Sequence, residues 1–529
     1  LSQDLHNGVY YVNGKKAAAR QFDTPVESIT RIVFRTGEEF KHPTIETPAD
    51  QTADMPRADE FDPTAVFAIA NLKTYPTTDI ATQATGAAVL NYDNYAHYAE
   101  KFNTMEDENI VQAIPNAEAS AWMEKNIPLF DCPDKQFEEI YYFRWWTLRK
   151  HIKRTPVGYG MTEFLVPRSY ADRYNLIACA IGHHINECRW LRDKTYLNQI
   201  LNTWYFGNDG KAMTKMSKFS SWNPFAVYNA YKVNGDTAMI TKLLPALEEE
   251  YARWKSTNRL DNGLYWQGDV QDGMEESISG GRKKKYARPT INSYMTANAF
   301  AIADMKALLQ PSATDIEEYR KDGEKQWQLI QDKLWNQEQQ FFEPHSGDSS
   351  ANVREAIGYM PWYCELQTHT SHDTAWLQLT DEKGFRAPFG LPTAERRHPL
   401  FRSHGTGTCE WDGAIWPFAT SQTLTALANY LNSTDKPVIG DSIFFSEMLK
   451  YAESQHYLGK PYIGEYLDET TGYWLMGDRE RSRYYNHSTF CDLVITGLVG
   501  LRPSANGDII VNPLIPEGKW DYFCLDNLS

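Results

Sequence analysis

The stretch PYIGEYLDETTGYW, residues 461–474, sets one acid, Glu465, among Tyr462, Tyr466, Tyr473 and Trp474. An acid in an ordinary loop keeps its charge in water. One walled by aromatic rings loses solvation, which raises its pKa and suits it to proton transfer near neutrality. A second acidic run, LDNGLYWQGDVQDGMEESISGG at 260–281, holds Asp269, Asp272, Glu275 and Glu276 beside Trp266 and Met274. Such loops are normally solvated surface, yet this one carries large apolar residues that a solvated segment does not need. A third, GTCEWDGAIWPFATSQTLTALANYL at 407–431, puts Glu410, Trp411, Asp412 and Trp416 at a helix start. Acids there gain from the positive end of the helix dipole, and capping with core tryptophans accounts for the pattern equally well. Two separated acids in one aromatic cleft are the equipment for cleaving a glycosidic bond. A protonated one feeds the departing oxygen, and an ionised one activates water or attacks the sugar.

Those residues need a scaffold, and the chain is long enough for one large domain with appendages, at 529 residues. A net charge of −16 argues against nucleic acid, which needs a concentrated positive field. The basic run GRKKKYAR at 281–288 reads as a solvated loop. No run approaches the ~20 apolar residues of a membrane span. Seven scattered cysteines without a CxxC pair predict buried free thiols, neither a zinc site nor a disulfide framework. Aromatic residues make up 13% of the chain, with 16 Trp and 31 Tyr, and flat rings suit the C–H faces of pyranoses.

Residues 1–115 read as an irregular, partly β region, with strand-like GVYYVNG, ITRIVFRT and TAVFAIANL around a Pro- and Asp-rich stretch. From there the apolar period becomes helical. About eleven helices are predicted, at 134–152, 171–192, 195–205, 222–234, 236–256, 289–309, 313–335, 371–380, 413–432, 441–457 and 487–500. Long antiparallel helices with unequal aromatic loops and no fixed repeat suit a mainly α fold, an (α/α)6 toroid over 116–502 whose loops line one mouth. A small β element is predicted at 503–529, where the sequence breaks off inside a strand. The opening LSQDLHNG lacks an initiator Met and reads as a trimmed chain, so an exported, periplasmic or extracellular protein is expected.

The order of these motifs resembles the (α/α)6 glycoside hydrolases typified by trehalase, processing α-glucosidase I and mannosylglycerate hydrolase. WNPFAVYNAYKVNGDTAMITKLLPALEEEYARW (222–254) looks like their helix pair, and NGLYW with DGMEES (262–277) like their acid loop. WDGAIWP (411–417) is similar to their helix start, GEYLDETTGYW (464–474) to their base loop, and YNHSTFCDLVITGLVGLRP (485–503) to the helix ending their barrel. The resemblance spans roughly 120–505. It implies an inverting exo-glycosidase with Glu465 as general base and Glu275 at the general acid position. The family's acid is an aspartate, so Asp272 and Glu276 stay open for that role. Trp222, Trp266, Trp411 and Trp416 are expected to wall the sugar, with Glu410, Asp412, Glu276 and Tyr466 nearby. Arg144, Trp145 and Trp146, then His183 and His184, depart from the trehalase pattern and suggest a distinct bacterial branch. Arg144 and His184 could reach sugar hydroxyls, though satisfied core histidines account for the pair as well. Adjacent histidines point ~100° apart on a helix, which disfavours a metal. The chemistry calls for no cofactor. Surface acids could carry a structural calcium, but no loop of recognisable spacing specifies one.

Two rivals share the composition. A polysaccharide lyase on a similar toroid would use Tyr485, Asn486 and His487, with Arg144 or Arg168 neutralising a uronate. A non-catalytic glycan-binding protein would keep the aromatic cleft without opposed carboxylates. Neither the monosaccharide and anomer nor the oligomeric state is written in the sequence.

Overall fold

The computed structural model describes residues 90–528 in full, and residues 10–12, 15–17, 21–23, 32–34 and 67–69 as backbone strands. The Pro- and Asp-rich stretch and the first residues lie outside what is described. The helical region is an (α/α)6 toroid. Six inner elements are Ile181–Cys188, Asn223–Asn234, Pro289–Leu309, the 3-10 turn Ala356–Tyr359 running into Met360–Tyr363, Pro417–Ser433, and Cys491–Leu493 continued by the π turn Val494–Leu498. Each packs on the next, and the last packs on the first. Outside them lie Lys135–Lys150, Thr195–Phe206, Thr237–Thr257, Ile316–Leu334, the 3-10 stretch Thr370–Leu379, and Asp441–Glu453.

Local chemistry starts these helices where the ring needs them. Asp134 accepts hydrogen bonds from the amides of Gln136 and Phe137, and Asp236 from that of Met239. Four inner elements carry proline in the first turn: Pro224, Pro289, Pro361 and Pro417. Proline costs no hydrogen bond there, and it biases the preceding residue toward extended backbone. Arg288 and Trp416 obey, with φ/ψ of −105/143 and −110/121. Those two loops arrive extended, whereas Met360, before Pro361, is already helical at φ/ψ −62/−30.

Inner helices are buried all round, and their polar residues pair across the ring. Gln422 Nε2 donates to Tyr294 Oη at 2.8 Å, and Asn298 Nδ2 to the Ser221 carbonyl at 3.1 Å. The ring is sealed by Glu187, at the end of the first inner helix. Its carboxylate accepts from the amides of Phe490, Cys491 (3.1 Å) and Asp492 (3.0 Å), which open the last. The neighbouring Arg189 Nη2 lies 2.7 Å from Asp492.

The predicted helix 171–192 is α-helical only over Ile181–Cys188, with 3-10 turns at Arg173–Asn175 and Ala178–Ala180. Asn175 lies at φ 63, and its amide donates to the carbonyls of Phe164 and Val166 while its oxygen takes the Arg168 amide. A side chain bracing a neighbouring loop competes with helix formation. The inner element 356–363 was not expected. Helices Ala96–Asn103 and Ala119–Asn126 precede the ring. Strand Leu129–Asp131 pairs antiparallel with Cys524–Asp526, which runs parallel to Phe67–Ile69. The sheet continues through Ile32–Phe34, Tyr10–Val12 and Lys15–Ala17. Gln21–Asp23 joins Asp508–Val511 and Leu501–Pro503. Among the described residues no helix is long and apolar enough to cross a membrane, and none of the seven cysteines is joined in a disulfide.

Candidate active site

Glu465 is almost wholly buried on the loop that follows outer helix Asp441–Glu453. Its amide donates to Ser482 Oγ at 3.0 Å, and Arg481 Nη2 donates to its Oε1 at 2.6 Å. Its Oε2 is buried without a partner. Burial pushes its carboxyl up to about 7. The Arg481 guanidinium pulls back, and the charge of Glu275 pushes up.

Glu275 stands on the loop 269–282, a compact turn built on Asp269. Asp269 Oδ2 takes the Arg282 amide at 2.7 Å, and the Asp269 carbonyl takes those of Asp272 (3.0 Å) and Met274 (2.8 Å). Gly273, at φ 75, has no room for a side chain: a Cβ would meet Cys179 Sγ at 2.4 Å. Glu275 is half-buried and makes no ion pair among the described residues. Burial raises its carboxyl from the ordinary range.

The other acids of this region are each held through at least one oxygen, while Oδ1 of Asp272 and Oδ1 of Asp412 are buried without partners. Asp272 is fully buried and bound by Arg288 Nε at 2.8 Å and by Thr290 Oγ1. Glu276, at φ 67, is gripped by Thr408 Oγ1 at 2.7 Å, Arg402 Nη2 at 2.6 Å and Arg282 Nε at 3.2 Å. Against slight desolvation, those bonds lower its pKa. They also stitch loop 269–282 to loop 402–412. Glu410 is spent on its own loop, accepting from the amides of Gly405 (3.0 Å) and Gly407 (2.6 Å). Asp412 pairs with Arg402 Nη2 at 2.8 Å through Oδ2, keeps Oδ1 unpartnered, and is pushed up to about 6 by burial.

Trp411 stacks on Trp416, with centroids 4.2 Å apart, and Trp416 on Tyr466 at 4.7 Å, making a layered wall directly beside Glu465. Trp222 lies deeper, against Tyr294 (4.8 Å) and edge-on to His183 (5.2 Å). Its indole nitrogen, that of Trp411 and both His183 nitrogens are buried without partners. Each such orphan costs about 1–3 kcal/mol unless a ligand or water satisfies it. His183 is held neutral by burial, as is His184, lowered to about 4, whose Nε2 donates to the Asn486 carbonyl at 2.8 Å.

Two expected sugar contacts fall elsewhere. Arg144 is buried and gives its donors to Ser488, Gln455 and Tyr451, fastening outer helix Lys135–Lys150 to the end of outer helix Asp441–Glu453 and to the segment just before the last inner helix. Trp266 is capped by the Lys285 ammonium, 4.0 Å from its ring. Glu163 was not anticipated. Its side chain is buried, its Oε1 accepts from Tyr485 Oη at 2.6 Å, and the charges of Glu275 and Glu465 act on it. Tyr485, the base a lyase would need, is thereby committed to a carboxyl. His404, Asp468 and Glu469 could in principle ligate a metal, with ligand atoms within 4.8 Å. Their atoms are already engaged: His404 Nδ1 with Asp468 at 2.6 Å, Asp468 Oδ1 with Thr470 and Thr471, and Glu469 with Ser403 and Arg396.

An acid pair and stacked tryptophans at the rim of a six-hairpin ring define a glycoside hydrolase domain. The model for the mannosylglycerate hydrolase MGH1-like glycoside hydrolase domain matches residues 173–488, and the chain belongs to that family. Residues 4–51 match a sialidase-like CBM domain. A solved structure named a sialidase is 61% identical over the whole chain, with a TM-score of 0.82. The GH63 mannosylglycerate hydrolase of Thermus thermophilus, solved with Tris, shares the fold at 14% identity. That match covers 68% of this chain and 100% of the Thermus protein, with a TM-score of 0.51. An uncharacterized protein of Borreliella burgdorferi is 25% identical over 186 residues, 35% of this chain and 38% of its own length. The chain spans 48% of the protein named a sialidase.

Proposed function

We propose that the chain is an inverting exo-glycosidase working on oligo- or polysaccharides by single displacement. Glu275 gives a proton to the glycosidic oxygen, while Glu465 draws one from a water attacking the opposite face of the sugar. The observation that carries this reading is the asymmetry between two desolvated carboxyls that feel each other's charge. Glu465 has a guanidinium on one oxygen, and Glu275 has no cation partner among the described residues. The Arg481 bond favours the charged form of Glu465, working against the burial that raises it to about 7. The charges of Arg282 and Arg481 also act on Glu275 and pull against its own burial. Asp272 and Glu276, bound to arginines, are poorly suited to release a proton. The buried Trp411–Trp416–Tyr466 stack, its faces spent on one another, forms the backing of the site, and Asp412 Oδ1 is a hydrogen-bond acceptor without a partner. The bridge from Glu276 to Arg402 and Thr408 closes one side of the cleft, which favours a pocket for a chain end over an open groove. No cofactor enters this scheme, and export from the cytoplasm goes with a glycan substrate.

The test is a panel of 4-nitrophenyl glucosides, mannosides, arabinosides and rhamnosides in both anomers, with a sialoside and mannosylglycerate added after the two relatives' names. Glu465→Gln should lower turnover by about 10²–10⁴-fold, and NMR should show the first-formed sugar with the opposite anomeric configuration. Activity that survives Glu465→Gln, or an unsaturated product absorbing in the near ultraviolet, would sink the assignment.

A further inference from the structure

We propose that Glu163 is a third carboxyl of the active site and that it holds the bound sugar through Oε2; this rests on the hydrolase reading above. Segment 482–487 acts as a rail between two chain segments. On one flank the Tyr485 amide donates to the Ile463 carbonyl at 3.2 Å, and the Glu465 amide reaches Ser482 Oγ. On the other, the Asn486 amide donates to the Glu163 carbonyl at 3.0 Å, and Asn486 Nδ2 to that of Thr162 at 3.1 Å. Glu163 and Glu465 are thus set on opposite flanks of one six-residue stretch.

The side chain is aimed with equal care. Oε1 is fixed by Tyr485 Oη, whose ring is clamped edge-on between Phe164 (4.5 Å) and His487 (4.0 Å). Oε2 is buried with no protein partner, and Glu163 forms no ion pair among the described residues. The nearby guanidinium of Arg481 gives its Nη2 to Glu465. Tyr485, Glu275, Glu465, Arg481, Tyr170 and Cys179 surround the carboxyl electrostatically. Burial pushes it up to about 8; Tyr485 pulls back, and the charges of Glu275 and Glu465 push further. Burial and the neighbouring carboxylates favour the protonated form of Glu163, with a hydroxyl to donate and nothing among the described residues to receive it. A sugar oxygen is the acceptor that the cleft would bring.

The decisive comparison is Glu163→Gln against Glu163→Ala, assayed with whichever 4-nitrophenyl glycoside of the panel wild type cleaves fastest. Gln keeps an N–H donor and does not titrate. It should hold KM near the wild-type value and extend activity to higher pH. Ala should raise KM about tenfold, the loss of one hydrogen bond, with a smaller change in kcat. An Ala variant that melts normally and keeps its KM overturns the proposal. Should Ala fail to fold, Glu163→Met, which fills the same space without a donor, decides: a wild-type KM in that variant overturns it. Failure of the hydrolase reading shows separately, as turnover that survives Glu465→Gln.

Discussion

Glu465 has to be charged in a place where burial favours its neutral form, and stability should register that conflict. Its folded pKa, about 7, lies above the ordinary 4.5. A raised pKa stabilises the native state below 4.5, and that contribution drains away as pH climbs through 7. Glu465→Gln escapes the loss. Relative to wild type the variant should gain stability between pH 5 and pH 8, by on the order of 3 kcal/mol at most, as melting at the two pH values would reveal. An equal effect at both would mean that Glu465 is not strained. The aromatic setting of Glu465 was legible because Tyr462, Tyr466 and Trp474 are its neighbours in sequence. Glu163 had the same kind of signal in Phe164 and Leu165. It lacked a second acid nearby, and its partner Tyr485 is 322 residues away. Arg144 was misjudged because residue type does not say where a buried side chain spends its donors.

At the scale of single elements, close approach between two inner helices is bought with one glycine. A Cβ on Gly182 would lie 2.1 Å from the indole of Trp222. The indole cannot retreat, since Tyr294, Tyr363 and Phe418 surround it. Gly182→Ala should cost about 1–3 kcal/mol through overpacking and shift Trp222 at the base of the cleft. A lowered denaturation midpoint with altered near-ultraviolet circular dichroism would bear this out, whereas an unchanged midpoint would contradict the packing. Long helices such as 237–257 and 289–309 were readable from their period alone. The inner element 356–363 was not, because AIGYMPWY is one 3-10 turn and one α turn, broken by Pro361 and too short to show a period. The toroid could still be recognised, since the motifs at the helix starts kept their order around the missing piece.

Across the whole molecule, both ends of the chain meet in one sheet, so the ring depends on residues far outside it. Leu514, Ile515, Phe523 and Leu525 are buried. At ~1.5–3 kcal/mol each, their exposure costs about 6–12 kcal/mol, comparable to the 5–15 kcal/mol that typically holds a domain together. Removing residues 501–529 should therefore leave a chain without a cooperative thermal transition by calorimetry; a deletion that melts like wild type would show that the ring stands alone. The Glu187 clasp has a consequence in time. Its partners begin 303 residues further along the chain, so ring closure waits for the last helix to leave the ribosome. At 5–20 residues per second that takes roughly 15–60 s. Through that interval the first inner helix has no mate on its closing side, and the nascent chain depends on whatever in the cell shelters a half-built ring.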